Sequence, residues 1–358
     1  MIITRTPFRV SFFGGGTDYP AWYLKEGGAV VSTTIDKYCY LSVRYLPPFF
    51  ELKHRVVWSH IESVWSIAEI LHPAVREGLR YMGFDDAVGI EIHHQGDLPA
   101  RAGMGSSSAF AVGLIRALTG LRGETIDTHE LVLRAIELEQ VVLREAVGSQ
   151  DQVASAYGGL NVIEFARTGD IRVEPVRLAP ERLATLQSHL LLFYTGSSRL
   201  ASQVAADVVA NLPARRAALH ALRNMVDQAL AILTGDGDLD AFGRLLHQGW
   251  LVKRQLSPLV TRPETDETYR RALAAGALGG KLLGAGGTGF MVFYVPPARQ
   301  RDVIAALAHC LNVPFTFERE GSTVVHDPRW DRVLPAARRW ASRTDERREI
   351  LLAPEGAP

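Results

Sequence analysis

The segment Leu98-Pro-Ala-Arg-Ala-Gly-Met-Gly-Ser-Ser-Ser-Ala109 constrains this chain more than any other. Gly103 and Gly105 lack a Cβ, so the backbone there can turn tightly and approach a ligand closely. Three serines then open the helical spacing of Ser106–Leu121. A helix start presents unpaired N–H groups and a partial positive charge, which together suit phosphate oxygens. A serine hydroxyl adds a hydrogen bond or a Mg²⁺ ligand. One serine suffices for an ordinary N-cap, so three in a row ask for more than capping. The segment is not a P-loop, because Gly-x-x-x-x-Gly-Lys-Ser/Thr is absent and no lysine stands beside the serines.

Three further segments carry chemistry. Pro7-Phe-Arg-Val-Ser-Phe-Phe-Gly-Gly-Gly-Thr-Asp-Tyr19 runs an apolar strand into a glycine triplet. No Gly-x-Gly-x-x-Gly is present and no helix obviously follows, which excludes a dinucleotide fingerprint. A carboxylate beyond such a turn, Asp18, can grip sugar hydroxyls as a two-oxygen acceptor. Gly279–Tyr294 packs five glycines between 279 and 287 ahead of an apolar strand. Each glycine costs entropy on ordering, so the density points to a tight loop under a phosphate or a sugar. Finally, Gly148-Ser-Gln-Asp-Gln152 sets Asp151 in a glycine-flanked turn, after a helical stretch containing Glu137 and Glu139. A lone Asp in a turn usually caps, but phosphoryl transfer needs a carboxylate near the attacking hydroxyl.

The 358 residues suggest two domains. Lys+Arg and Asp+Glu are both 39, so the chain offers nucleic acid or an acidic membrane no general electrostatic footprint. The partner expected is instead a small molecule. Cys39 and Cys310 lack metal-ligand spacing and read as packed thiols. No signal peptide or membrane-length apolar run is evident, and a cytoplasmic protein is expected. Strands are expected at Ile2–Arg5, Phe8–Phe13, Ala29–Ile35 and Tyr38–Tyr45, the last two joined as a hairpin at Asp36-Lys37. Helical spacing covers Pro73–Met82, Ser106–Leu121 and Thr128–Ala146, then Ser202–Asn211, Ala214–Leu233 and Leu239–Lys253. Without strict alternation of strand and helix, the class is α+β. The boundary falls near 183/184, giving domains 1–183 and 184–345 and a frayed tail, 346–358.

Taken together and in this order, the four segments resemble the sugar and mevalonate kinase superfamily, the GHMP kinases. Phe13-Gly-Gly-Gly-Thr-Asp18, Thr33-Thr-Ile-Asp-Lys-Tyr38 and Gly148-Ser-Gln-Asp-Gln152 look most like the bacterial D-glycero-D-manno-heptose 7-phosphate kinases. The resemblance implies an N-terminal ribosomal-protein S5-like domain, a C-terminal ferredoxin-like domain and a site between them. It implies ATP and Mg²⁺, with Gly103, Met104, Gly105, Ser106 and Ser107 on phosphate and Ser107 and Glu139 on the metal. Asp151 takes the role of base, with Arg9 as its partner. Gly16, Thr17, Asp18, Gly286 and Gly287 are the expected sugar-binding positions. Galactokinases carry Glu-His where this chain has Gly15-Gly16, which argues against galactose. A 1-kinase of free fucose or arabinose, a decarboxylase of related fold and a non-catalytic sugar sensor share parts of the pattern. Lys37, Arg44, Lys53 and Arg101 are the basic candidates for a substrate's distal phosphate.

Overall fold

The apolar opening of the chain forms one long strand, β1 (Ile2–Phe13), where the sequence suggests two. It runs antiparallel to β2 (Gly28–Tyr45) along most of its length. The hairpin expected at Asp36-Lys37 is not there. These two residues bulge from a continuous strand, at the step where Pro7 faces Tyr38 and Phe8 faces Ile35. Pro7 has no N–H for the ladder, and Asp36 is satisfied elsewhere. The Asp36 N–H donates to the Thr316 carbonyl at 2.9 Å, and its carboxylate accepts from the Thr316 N–H at 2.8 Å.

The computed structural model describes residues 1–196 and 201–326, so the tail expected at 346–358 lies outside the described residues. After α1 (Pro20–Glu26) and β2 come β3 (His54–Val57), β4 (Ile61–Val64), α2 (Pro73–Tyr81) and β5 (Ile90–Gly96). Then follow α3 (Ser106–Leu121), α4 (Thr128–Glu137), α5 (Gln150–Tyr157), β6 (Leu160–Phe165) and β7 (Ile171–Pro175). α3 and α5 pack on β1 and β2, and α2 and α4 pack on α3. α3 is apolar nearly all round, with Phe110, Val112, Leu114, Ile115 and Leu118 buried, as a central core helix should be.

The second layered unit contains α6 (Pro180–Ser188), β8 (Leu190–Tyr194), α7 (Ala201–Asn211), α8 (Arg216–Thr234), α9 (Asp240–Lys253) and α10 (Pro263–Ala274). It is completed by β9 (Gly279–Leu282), β10 (Phe290–Tyr294), α11 (Gln300–Ala306) and β11 (Leu311–Asn312). Its sheet has the order β11–β8–β10–β9, all antiparallel. The chain then returns: β12 (Phe317–Glu318) pairs with β2 and β13 (Thr323–His326) pairs with β1. A single boundary near 183 does not anticipate this return, because these short strands are indistinguishable from local pairings until their partners are known. The first sheet therefore runs β13–β1–β2–β5–β3–β4, with β6 on β2 and β7 on β6.

The two units share a core. Phe12 and Phe13 at the end of β1 meet Phe242 of α9 edge-on, with centroids 5.3 and 5.1 Å apart. α8 also packs on β1 and β2. The return is fixed by glycines at close quarters. A Cβ on Gly158, whose φ is +71°, would stand 2.2 Å from the Glu320 carbonyl carbon. Gly158→Ala is therefore expected to lower stability by at least ~2 kcal/mol in urea unfolding, through left-handed strain and a backbone clash. Gly237→Ala, with nothing within 4 Å, should stay within ~0.5 kcal/mol of wild type. Equal effects at the two positions would mean that the return strands are not docked against α5.

Candidate active site

The phosphate-binding candidate forms as its glycines predict. Gly103 and Gly105 have φ values of +87° and +73°, and Gly105 is the N-cap residue of α3. A Cβ on Gly105 would lie 3.1 Å from Asp151 Oδ2, so this glycine leaves room for the carboxylate. Met104 is buried and anchors the loop, its carbonyl accepting from the Arg9 N–H at 3.3 Å. The Ser106 hydroxyl accepts from the Arg101 N–H at 3.1 Å, closing the loop onto the helix. Ser107 is exposed and Ser108 is buried.

Arg9 and Asp151 meet from β1 and α5. The guanidinium donates from Nε to Asp151 Oδ1 at 2.7 Å and from Nη2 to Oδ2 at 2.6 Å. Its Nη1 donates to the Gly103 carbonyl at 2.7 Å. Arg9 is 3% exposed and Asp151 23%, so the pair is buried on its Arg side and open on its carboxylate side. Such a fork fixes the direction of both carboxylate oxygens.

Asp18 lies close enough to feel Asp151 and is itself 2% exposed. Burial first, and then the Asp151 charge, raise its pKa. Its carboxylate is already engaged, because Oδ1 accepts from the Gly16 N–H at 2.9 Å and the Gln150 side chain also hydrogen-bonds to it. Gly148 is needed beside it, since a Cβ there would stand 1.9 Å from Asp18 Oδ2. Thr17 is a correction. It is fully buried, and its hydroxyl donates to the Gly14 and Ala29 carbonyls at 2.8 and 3.0 Å, which ties the turn rather than a ligand. Gly16 is buried too, under Leu256 and Leu219 of the second unit.

Gly286 and Gly287 also depart from expectation. A Cβ on Gly286 would lie 2.7 Å from Val260 Cα, and the Gly287 N–H donates to the Val260 carbonyl at 2.9 Å. The density of glycine here serves backbone packing. Gly284 faces the Gly103–Ser107 loop, where its Cβ would stand 2.5 Å from Gly103 Cα.

Glu139 sits where the helix expected over 128–146 breaks into a π turn, Leu138–Val142. Gln140 draws the chain aside, its Nε2 donating to Ser149 Oγ at 3.1 Å and to the Val147 carbonyl at 3.2 Å. The extra residue in the turn leaves Glu139 1% exposed. Gln152 donates to its Oε2 at 2.5 Å, and Oε1 has no hydrogen-bond partner. Burial raises its pKa to about 7, although the nearby Ser108 and Ser107 hydroxyls favour the charged form. An orphaned, buried carboxylate oxygen beside a serine hydroxyl fits a hard divalent cation such as Mg²⁺. Among the described residues no cluster of three His, Cys, Asp or Glu forms an all-protein metal cage.

Two buried lysines went unassigned in the sequence. Lys253 ends α9 and Lys281 lies in β9, and both sense Arg9 and Asp18. Their neighbours are set by domain packing, and no local pattern announces it. Of the four basic candidates for a distal phosphate, Lys37 binds Asp36, Arg44 binds Glu91 and Lys53 donates to the Asp86 carbonyl. Arg101 is exposed just before the Gly103–Ser107 loop. No described helix is long and apolar enough to cross a membrane.

Residues 64–159 match the family description "GHMP kinases N terminal domain", and residues 218–312 match "GHMP kinases C terminal". The chain is 27% identical over 337 residues to a D-glycero-alpha-D-manno-heptose 7-phosphate kinase of Campylobacter jejuni, covering 89% of this chain and 97% of that protein. It is 30% identical over 247 residues to a mevalonate kinase of Pyrococcus horikoshii, 66% of this chain and 69% of the relative. A solved D-glycero-D-manno-heptose 1-phosphate kinase from Bacteroides thetaiotaomicron shares the fold, with a TM-score of 0.73 at 24% identity over 91% of this chain and 99% of that one.

The Glu139 carboxylate yields a prediction with a definite sign. Its folded pKa of about 7 lies above the ordinary 4.5, so folding penalises the ionised form; the penalty is complete above pH 7 and absent below 4.5. At pH 8 without metal, Glu139→Gln should be more stable than wild type, by up to ~3 kcal/mol. The rise in melting temperature that Mg²⁺ confers on wild type should vanish in the variant. A variant that keeps that rise would remove Glu139 from the metal site.

Proposed function

This chain belongs to the GHMP kinase family and is an ATP-dependent sugar kinase, and from that premise we propose that it phosphorylates the anomeric hydroxyl of D-glycero-D-manno-heptose 7-phosphate to give the 1,7-bisphosphate. The observation that carries this reading is the Arg9–Asp151 fork at the mouth of the phosphate loop. It is supported by similarity to a heptose 7-phosphate kinase along nearly its whole length.

In this reading the ATP phosphates lie over Gly103–Ser107, where the N–H groups at the start of α3 face developing negative charge. Asp151 receives the sugar hydroxyl, orients it toward the γ-phosphorus and takes its proton. Arg9 holds that carboxylate in one orientation and ties it to the loop through Gly103. Asp18, raised in pKa and beside Asp151, is the neighbouring carboxyl group for a second sugar hydroxyl. Ser107 and Glu139 would hold Mg²⁺, which when bound neutralises phosphate charge.

Asp151→Asn keeps the shape but cannot accept a proton. Its kcat should fall by 10²–10⁴-fold, the usual cost of losing a general base, with ATP affinity nearly intact. Retention of more than about a tenth of wild-type kcat would leave Asp151 a positioning group only. The substrate itself is tested by comparing kcat/KM for the heptose with and without its 7-phosphate. A charge-assisted bond to phosphate contributes ~1.5–3 kcal/mol, so the phosphorylated sugar should be preferred by tenfold or more. A ratio near one points to a 1-kinase of free sugars.

A further inference from the structure

Lys253 and Lys281 take no part in the chemistry assigned above, yet they are 7% and 6% exposed. Lysine is almost never so buried without a partner. Here the partners are backbone carbonyls at the junction of the two units. Lys281 Nζ donates to the Phe12 carbonyl at 2.8 Å and so stitches β9 to β1. Lys253 Nζ donates to the Leu282 carbonyl at 2.9 Å and to the Gly284 carbonyl at 2.6 Å.

Gly284 is the residue that meets the phosphate loop. Its φ is +67°, and a Cβ on it would lie 2.5 Å from Gly103 Cα. Reciprocally, a Cβ on Gly103 would lie 2.5 Å from the Leu283 carbonyl oxygen. The two loops thus touch backbone to backbone, with no side chain between them. Arg9 grips the Gly103 carbonyl from the first unit, and Lys253 grips the Gly284 carbonyl from the second. Two cations clamp one contact from opposite sides.

We propose that Lys253 is a positioning residue for the ATP phosphates: by fixing the Leu282 and Gly284 carbonyls it keeps Gly284 against Gly103, and its ammonium adds charge behind the phosphate loop. The inference rests on the nucleotide reading of that loop. The charged groups that face Lys253 are Arg9 on β1, Asp18 after the glycine triplet, Asp151 on α5 and Lys281 on β9. Burial holds the pKa of Lys281 well below the ordinary lysine range and raises that of Asp18, so the cluster is poised to take up positive charge when a phosphate approaches. Burial first, and then Arg9, lower the Lys253 pKa to about 7. Its charge is present below that pH and lost above it, while its stem and loop contacts remain.

The test is calorimetric binding of a non-hydrolysable ATP analogue to the full chain. Lys253→Met keeps the stem and removes the ammonium. It should still fold, because loss of the buried charge offsets part of the cost of leaving the Leu282 and Gly284 carbonyls without this donor. Its nucleotide Kd at pH 6.5 should rise at least tenfold, and the gap from wild type should narrow as pH is raised to 9. The KM for the sugar should stay within threefold. Gly284→Ala perturbs the same contact without touching Lys253 and should weaken nucleotide binding similarly. The double variant should be no more than about twofold weaker than the weaker single one. Wild-type protein that binds no nucleotide sinks the nucleotide reading and this inference with it. Wild-type binding with Lys253→Met within twofold, a loss equal at pH 6.5 and 9, or additive losses in the double variant each overturn this inference alone. Should Lys253→Met fail to fold, Lys253→Gln is judged by the same three outcomes.

Discussion

The fork between Arg9 and Asp151 is the interaction on which the site depends. It joins β1 to the first turn of α5, residues 142 apart in sequence, and the same guanidinium holds the Gly103 carbonyl. One side chain therefore sets the carboxylate, the glycine loop at Gly103 and strand β1 in a common frame. Arg suits this task because its donors form a planar fork, so two carboxylate bonds and one carbonyl bond are satisfied without rearrangement. Loss of either partner would leave a buried charge unpaired, which is far costlier than never having placed the pair.

Around that fork the protein buries charge that its own fold does not balance. Glu139 has an oxygen without a partner, Lys253 and Lys281 are bound only by carbonyls, and Asp18 is pushed toward its neutral form. Each arrangement costs stability, and each is of the sign that a ligand would relieve: a cation for Glu139, an anion for the lysines. Stability and activity trade against each other in such a site. The compensation comes from elsewhere, chiefly the apolar helix α3, the long β1–β2 pairing and the Phe12–Phe13–Phe242 contact between the units.

Much of the architecture was legible because strong local signals agree with the fold. Beyond its three serines Ser106–Leu121 is mostly apolar, and Gly105 before it takes the left-handed conformation a glycine favours, so the helix and its start could be read directly. The bulge at Asp36-Lys37 has the local pattern of a hairpin, because Pro7 and Thr316, the residues that explain it, are distant in sequence. Helical spacing runs on to 146 although the helix does not, because a π turn keeps that spacing while rotating one residue, Glu139, inward.

What the sequence determined by itself is the chemistry: which glycines free the backbone, which serines open a helix start, and which carboxylates stand near them. These are properties of residue types and their spacing, and they are local. Only the tertiary structure decided which of those features face one another. It turned Gly286 and Gly287 onto Val260, closed the Thr17 hydroxyl into its own turn, and returned residues 317–326 to the first sheet. It also brought Lys253 and Lys281 to the Arg9–Asp18 neighbourhood from a different unit. The physical reason is that a buried group's partners are chosen by packing between distant segments, and no spacing along the chain records that choice.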